Sequence, residues 1–384
     1  MLKRRVETIN KRQILLIGCG KAGNRLVNEL MLQDPRLTGL FVNTSYDDMA
    51  NLKKCNEDNT FLFTSADGSG RNRNVAQQYV KDQIRSLIDT ITGYPLHNNI
   101  YIVTSADGGT GSGITPMICQ LLRTAFKTKK LDRKINLIAV MPSVKIDDKL
   151  AFENALGFWN DIVMKRKDKA GNEFSIKDEC LDNIKLINNT KCNNYEEINK
   201  KAVRDIINSF NMNGTHDEGD IDDRDSKTFN TEKGFSLILT LPNGYKDAKE
   251  AVDFAIKDSV FALPDNYNCN YIGLSLNEED YMLDEVRVCF DVVYKTTYKT
   301  YNTLKHNTIV LSGCSAPNEV IASIKQKLDE LNTKQSNQNV EDKDLTVSLK
   351  TTINKSNTKK TEEDKPTFTE SDLDDIASAV MDMF

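Results

Sequence analysis

Three short glycine-rich segments have the composition of phosphate-binding loops, because each follows an apolar run and precedes a stretch with helical spacing. They are IGCGKAGNRL from Ile17, TSADGSGRNR from Thr64 and TSADGGTGSG from Thr104. Glycine lets the backbone approach a ligand closely, and the free amides at the start of a helix attract an anion. The three segments therefore predict a site for a phosphorylated ligand.

The first segment also raises the possibility of a dinucleotide, since Gly18, Gly20 and Gly23 form the pattern GxGxxG. An oxidoreductase that uses NAD or FAD is therefore one alternative, and strand-to-helix turns without any ligand are another. The second apolar strand, however, ends in Asn43 and Thr44 rather than in the acidic residue that binds the ribose of NAD. The chain also has no GxxxxGK followed by Ser or Thr, which excludes a Walker-type phosphate loop.

Composition limits the remaining classes of protein. The 384 residues are 39% hydrophobic and 28% charged, and the longest apolar runs are far too short to span a bilayer. We therefore expect a globular protein of the cytoplasm that does not contact a membrane. Eight cysteines without a CxxC pair and three histidines predict neither disulfides nor a structural metal site. The net charge of -5 predicts that DNA, if involved, is reached only indirectly, through a partner.

The elements that position the glycine segments are predicted to be buried parallel strands. Continuous apolar runs separated by amphipathic stretches are typical of a doubly wound α/β sheet. Such runs occur at 13–18, 39–42, 100–103, 135–141 and 184–187. Ile198, Ala202, Ile206 and Phe210 then recur at helical spacing, so Tyr195 to Phe210 is predicted to be a helix with one buried face.

A second, smaller α/β unit is predicted after an acidic loop at 214–225. Its strands are expected at 234–241, 271–276, 286–293 and 307–313, with helices at 248–261 and 317–331. Residues 332–366 contain few large apolar side chains and predict a flexible tail. The last stretch, 369–384, has an apolar face and acidic residues, as expected of a docking peptide. The predicted units are thus 1–194, 195–213, 214–331 and 332–384.

The glycine cluster Gly108–Gly113, GGTGSG, resembles the signature of the tubulin and FtsZ family, in which a longer run of glycines is usual. Asp107 stands where that family has its first glycine. The resemblance covers roughly residues 12–320 and implies a GTPase that binds GTP or GDP with Mg2+ and assembles head to tail into filaments. The sequence itself offers no dedicated carboxylate cage for the magnesium ion, which would be held mainly by phosphate and water.

The resemblance also assigns roles to individual residues on the phosphate side. The α and β phosphates would contact Gly20, Lys21 and Asn24, although Lys21 departs from the family's pattern. The γ phosphate and magnesium would lie near Asn43, Thr44, Gly68, Gly70 and Arg71, with Arg73 as a second sensor of the nucleotide. The phosphate chain would be wrapped by Gly108, Gly109, Thr110, Gly111, Ser112 and Gly113.

On the nucleoside side, the resemblance implies that Glu153 binds the ribose and that Asn189, with Asn188 beside it, reads guanine. Tyr195 would stack on the base, and Asn199 would contact its edge. Tyr195 and Asn199 are four residues apart, which places them on one face of the predicted helix.

The acidic segment DIDDRDSKTF resembles the family's catalytic loop, which reaches into the nucleotide site of the next subunit. Asp220, Asp222 and Asp225 take its polar and acidic positions. They are expected to orient the water that attacks the γ phosphate. Asp217, Glu218 and Asp223 compete for this role, and a solvated acidic loop without catalytic function is the alternative.

Within the family, the degenerate first loop and the tail resemble the TubZ branch of plasmid and phage tubulin-like proteins. That branch implies filaments that segregate or position DNA through a DNA-binding adaptor of TubR type, which binds the C-terminal tail. The alternatives are a PhuZ-like phage tubulin that centres virions, and a filament or regulator of the same fold that does not hydrolyse GTP.

Overall fold

The computed structural model describes residues 13–64, 67–167, 171, 173–191, 193–212, 221–302, 306–341 and 377–378. Its N-terminal half alternates strands and helices. They are β1 (Ile14–Cys19), α1 (Gly20–Gln33), β2 (Thr38–Asn43), a 3-10 helix (Glu57–Asn59), β3 (Thr60–Leu62), α2 (Arg73–Asp82), α3 (Ile84–Thr92), β4 (Asn99–Ser105), α4 (Gly109–Thr128), β5 (Lys134–Met141) and α5 (Lys149–Val163).

The C-terminal half begins with a short hairpin and ends with the longest helix. Its elements are β6 (Arg166–Lys167), β7 (Glu173–Phe174), α6 (Ile176–Glu179), β8 (Asn183–Asn188), α7 (Tyr195–Phe210), α8 (Asp223–Asn230), β9 (Gly234–Leu241), α9 (Ala248–Asp258), β10 (Cys269–Leu276), α10 (Leu283–Arg287), β11 (Val293–Tyr301), β12 (Asn307–Cys314) and α11 (Asn318–Glu341).

Ten of these strands form one sheet in the order β11-β10-β12-β9-β8-β5-β4-β1-β2-β3. The strands from β9 to β3 are parallel, and β12 is antiparallel to both β9 and β10. Chain order reverses between β1 and β4, so the loops after these strands diverge at one edge of the sheet. In open α/β sheets a ligand binds at this kind of edge.

The α/β fold predicted for the first half is confirmed, as the five apolar runs coincide with β1, β2, β4, β5 and β8. The strands are buried on both faces, which explains their continuous Ile, Leu and Val content. The second unit joins the same sheet through only two residue pairs between β8 and β9, Asn183 with Gly234 and Ile184 with Phe235. The helix predicted at Tyr195–Phe210 has those bounds.

Two predictions about the second unit are wrong. Of residues 286–293 only Val293 is in a strand, because Leu283–Arg287 form α10 and β11 begins at Val293. The sequence of β11 is VYKTTYKTY, and it lies half-exposed at the edge of the sheet, so it lacks the apolar run used to find buried strands. The last helix also continues ten residues past Leu331, to Glu341.

The predicted tail lies largely outside the described residues. Of the predicted docking peptide, Ala377 and Ser378 are described, and both are helical. In the described part of the chain, no helix is both long and apolar enough to cross a membrane.

Candidate nucleotide site

The first and third glycine loops contact each other directly, where β1 and β4 end side by side. Gly20 begins α1 with a φ of +71°, and a Cβ at this position would lie 2.8 Å from the amide nitrogen of Gly111. Only glycine tolerates both the positive φ and this close approach. The N-termini of α1 and α4 therefore lie next to each other at the edge of the sheet.

The third loop presents the N-terminus of α4 to open space. Gly108 is its N-cap, and a Cβ added there would meet no atom within 4 Å. A Cβ at Gly109, in contrast, would overlap the backbone of Arg71 in the second loop. The side facing the second loop is thus closed, whereas the side at Gly108 is open to an anion that the α4 dipole would attract.

A chain of hydroxyl groups links the second strand to both remaining loops. Thr44 Oγ1 lies 2.7 Å from Thr110 Oγ1, which donates to Ser69 Oγ at 3.0 Å. The amide of Gly68 donates to the carbonyl oxygen of Thr44 at 2.9 Å. The structure therefore brings together Thr44, Gly68 and Thr110, which the sequence assigned to one phosphate site.

Two arginines of the second loop differ in their surroundings. Arg71 has a φ of 61°, a strained conformation for a residue with a side chain, and it donates to Asp148 at 2.9 Å. Burial alone would raise the pKa of Asp148, but the hydrogen bonds from Arg71 and the Ala151 amide lower it overall. Arg73 is more buried and donates to Asp161 at 2.5 Å. Arg71 is therefore the more exposed of the two arginines, paired with a carboxylate that is itself partly exposed.

Three residues predicted to contact the phosphates differ in their partners within the protein. Lys21 forms an ion pair with Asp48 at 2.8 Å. Asn24 is fully buried and donates to the carbonyl oxygen of Val42, which ties α1 to β2. Asn43 is also fully buried, and its Nδ2 has no hydrogen-bond partner among the described residues.

Tyr195, the predicted stacking residue, begins α7 with its side chain 50% exposed. Burial raises the pKa of its phenol, and the charges of Asp107 and Asp148 raise it further. Asp107 itself accepts a hydrogen bond from the Ser105 hydroxyl. The half-exposed ring thus lies within the electrostatic influence of carboxylates at the second and third loops.

The other predicted nucleoside contacts lie on neighbouring elements. Asn189 follows β8 and is 8% exposed, and Asn188 accepts a hydrogen bond from the Thr190 amide. Asn199 is half-buried on α7, one turn after the stacking residue. Glu153 is half-exposed on α5, 3.8 Å from Lys149.

Sequence reasoning missed Asn154, the neighbour of Glu153. Its Nδ2 donates to the carbonyl oxygens of Arg71 at 3.0 Å and Asp107 at 3.1 Å, so it joins the second loop to the third. A buried asparagine in the middle of a helix is an unusual choice, and this was the only available signal. Asp148 was also missed, because its partner Arg71 is 77 residues away.

The predicted catalytic carboxylates begin a short helix rather than lie in a loop. Asp222 is the N-cap of α8 and accepts from the Asp225 amide at 2.8 Å, while Asp225 accepts from the Asp222 amide at 3.4 Å. This reciprocal pair is a capping box. Asp220, Asp217 and Glu218 lie outside the described residues.

The carboxylates of α8 lie at the opposite end of the sheet from the glycine loops. Arg36, which precedes β2, donates to Asn211 just after α7. The hydrogen bond with Asp34 raises the pKa of Arg36, and the charge of Asp223 raises it further. Asn230, the last residue of α8, donates to the carbonyl oxygen of Ser209 near the end of α7 at 2.9 Å, so α8 contacts this end of α7. The sixteen residues of α7 separate this end from Tyr195 by about 24 Å.

The donor set at the strand ends fits a nucleoside triphosphate with magnesium held mostly by phosphate and water. Thr44 and Thr110 offer hydroxyl oxygens, and the orphaned Nδ2 of Asn43 is a free donor beside them. In the described residues, no group of three or more His, Cys, Asp or Glu side chains could hold a metal by itself. Magnesium often binds proteins in this sparse way, with substrate phosphates as ligands.

Comparison with known proteins supports this assignment. Residues 13–163 match the family described as Tubulin/FtsZ family, GTPase domain. The chain is 28% identical over 345 residues to the tubulin-like protein TubZ of a Clostridium botulinum C phage, which covers 86% of this chain and 89% of that protein. It is also 29% identical over 126 residues to cell division protein FtsZ 1 of Pyrococcus furiosus, 32% of each chain.

Solved structures show the same fold. The crystal structure of TubZ from Clostridium botulinum phage c-st has a TM-score of 0.73 at 23% identity and covers 84% of this chain and 99% of its own. A GTPγS-form protofilament of TubZ from Bacillus thuringiensis serovar israelensis has a TM-score of 0.71 at 15% identity and covers 88% and 96%. The alternative of a NAD or FAD enzyme finds no support among these relatives. Residues 13–163 thus match the GTPase domain of the tubulin/FtsZ family, and the chain as a whole is similar to TubZ in sequence and shares its fold.

Proposed function

We propose that the protein is a self-assembling GTPase of the cytoplasm whose active site forms between successive subunits of a filament. One observation carries this proposal: the phosphate loops and the carboxylates of α8 lie at opposite ends of the same sheet. A head-to-tail contact would bring Asp222 and Asp225 of one subunit to the phosphates held by the next. Such an arrangement makes hydrolysis depend on assembly.

In this site one subunit would bind the phosphates and the next would orient the attacking water. Amides and hydroxyls around Gly108, Thr110 and Thr44 would bind the phosphates, with Arg71 exchanging Asp148 for the γ phosphate. Magnesium, when bound, neutralises charge on the β and γ phosphates. A carboxylate from the incoming α8 would orient a water molecule in line with the γ phosphate, since phosphoryl transfer depends mainly on positioning and charge stabilisation. Asp220 is a third candidate for this role.

We further propose that the filaments segregate or position plasmid or phage DNA. The similarity to a phage TubZ and to a TubZ described as a two-stranded filament supports a polymer of this type. The net charge of -5 favours an indirect contact with DNA, through a DNA-binding adaptor of TubR type that binds the C-terminal tail. A gel-shift assay with and without the tail and an adaptor tests this part.

The shared site predicts that GTP turnover per subunit rises steeply with protein concentration and levels off once filaments have formed. The measurement is phosphate release across a wide range of concentrations, with polymer followed by light scattering in the same samples. A rate per subunit that does not change with concentration would mean that each monomer holds a complete site.

The carboxylates are best tested by asparagine, because alanine would also remove the capping box of α8. Asp225→Asn and Asp222→Asn keep an acceptor for the helix amides and remove the charge. At least one of them should bind GTP and assemble normally while hydrolysis falls about 100-fold and filaments persist. Asp223→Asn is the matched control within the same helix, and a loss confined to this variant would move the catalytic role to Asp223.

A further inference from the structure

One buried side chain in the sheet is a lysine. Lys185 lies in the middle of β8 and is 1% exposed, in a strand where every residue but Asn188 is buried. A central strand of a parallel sheet usually carries apolar side chains throughout. Burying an amine is costly unless it forms hydrogen bonds. The Lys185 amine is therefore expected to form hydrogen bonds with buried acceptors.

The partners of Lys185 are neutral oxygens. Its Nζ donates to Asn183 Oδ1 at 2.7 Å and to the carbonyl oxygen of Asn230 at 3.2 Å, and lies 5.5 Å from the centre of the Tyr101 ring. Among the described residues, no carboxylate is within ion-pair distance of this amine. Burial lowers its pKa to about 7. Hydrogen bonds, not an ion pair, thus hold Lys185 to its neighbours.

Asn230, the residue that Lys185 contacts, is the last residue of α8. Its Nδ2 donates to the carbonyl oxygen of Ser209, near the end of α7, at 2.9 Å. The preceding residue, Phe229, accepts a hydrogen bond from Ser312 of β12. We call Lys185, Asn183, Ser209 and Asn230 the α8 junction. It connects the C-terminal end of α8 to β8 and α7, the two elements that lead to the predicted nucleoside contacts.

The direction of α8 depends on this junction. A helix of eight residues has little stability of its own, so its orientation is set by the contacts at its ends. At the N-terminal end, Ile221 is buried just before the helix, while Asp222 is exposed and bonds to Asp225 in the capping box. At the C-terminal end, Phe229 and Asn230 are both almost fully buried, and Asn230 is the residue that Lys185 contacts.

We propose that Lys185 is a positioning residue for GTP hydrolysis, which through Asn230 fixes the direction in which α8 presents its carboxylates to the next subunit. This inference rests on the proposed function. Lys185 does not touch the nucleotide, so its effect should appear in the rate of hydrolysis within filaments and not in the binding of GTP. A small rotation of α8 would be enough, because catalytic groups lose effect steeply when they are misplaced.

The test is Lys185→Met, which keeps a long unbranched side chain and removes the donor. For the full chain, we expect the KM for GTP to stay within about twofold while kcat per polymerised subunit falls about tenfold or more. Polymer is measured by sedimentation with GTPγS, so that kcat refers to assembled protein. A variant with normal kcat, or one that has lost GTP binding instead, would overturn the proposal.

Asn136→Ala is the matched control. Asn136 is a fully buried polar residue of the neighbouring strand β5 and lies beside Asn183 in the sheet, but its side chain donates to Asn99 and to the carbonyl oxygen of Ile100 on the other side, in β4. It should lower the free energy of unfolding without changing kcat. If Lys185→Met does not fold, Asn183→Ala replaces it, because it removes the Oδ1 that accepts from the Lys185 amine at 2.7 Å. A folded Asn183→Ala variant with normal kcat and KM would then contradict the inference.

The outcome is separable from the test of the proposed function. If Asp222→Asn and Asp225→Asn both hydrolyse GTP normally, the catalytic role of α8 is wrong and the proposed function fails first. If one of them is inactive and Lys185→Met hydrolyses normally, only the positioning role of Lys185 is wrong.

Discussion

At the scale of single residues, burial dominates the behaviour of Lys185. The amine has a pKa of about 7 in the folded protein and 10.5 as an ordinary side chain. Between these two pH values the unfolded chain binds a proton at Lys185 that the folded protein does not. The free energy of unfolding of the protein therefore rises with pH in this range. Below about pH 7 this gain in stability is absent, because Lys185 is then charged in the folded protein and a buried charge is unfavourable.

This difference predicts that the wild-type protein gains stability relative to Lys185→Met as the pH rises from about 7 to 10, by up to about 1.4 kcal/mol per pH unit. Urea unfolding of both proteins across this range measures it. The Asn136→Ala variant should keep the wild-type slope. Parallel curves for the wild type and Lys185→Met would show that the lysine does not titrate in this window.

At the scale of elements, the N-terminus of α4 has one closed side and one open side. Gly109→Ala should lower both stability and nucleotide affinity, because the new methyl group overlaps the backbone of Arg71. Gly108→Ala adds the same group in open space and should leave the midpoint of urea unfolding unchanged while weakening GTP binding. Titration of each variant with a fluorescent GTP analogue, together with urea unfolding, separates the two effects. Normal GTP binding by Gly108→Ala would show that the phosphates do not approach this loop.

At the scale of the whole molecule, α11 connects the body of the protein to the predicted tail. Lys327 and Lys334 lie 2.8 Å and 3.8 Å from Asp147, and Lys149 donates to Gln335 at 2.7 Å. These contacts reach the residue next to Asp148, the partner of Arg71. Contacts between α11 and the folded body therefore extend at least to Gln335, past the predicted boundary at Leu331.

Two truncations test this boundary. A chain that ends at Glu341 should unfold at the wild-type urea concentration and form filaments with GTP, seen by electron microscopy, but lose an adaptor bound through the tail. A chain that ends at Leu331 should unfold at a lower concentration, since it lacks Lys334 and Gln335. Equal stability of the two chains would place the boundary at Leu331, as the sequence had predicted.

Much of the fold and part of the site could be predicted from the sequence because the signals are local. Apolar runs identified the buried strands, helical spacing gave α7 its bounds, and glycines after strands marked the loops that meet at Gly20, Gly111 and Thr110. The edge strand β11 was missed because half-exposed strands have no apolar run. The end of α11 was missed because a polar helix held by tertiary contacts has the composition of a tail.

The sequence by itself determined which residue types are available for binding phosphate and for orienting water, since these depend on short patterns along the chain. Only the tertiary structure decided where they lie. Tertiary contacts hold α8 against the end of α7, pair Arg71 with Asp148, and bury Lys185 against the end of α8. These relations join residues that are far apart in the chain, and no local pattern records a contact that exists only after the sheet has assembled.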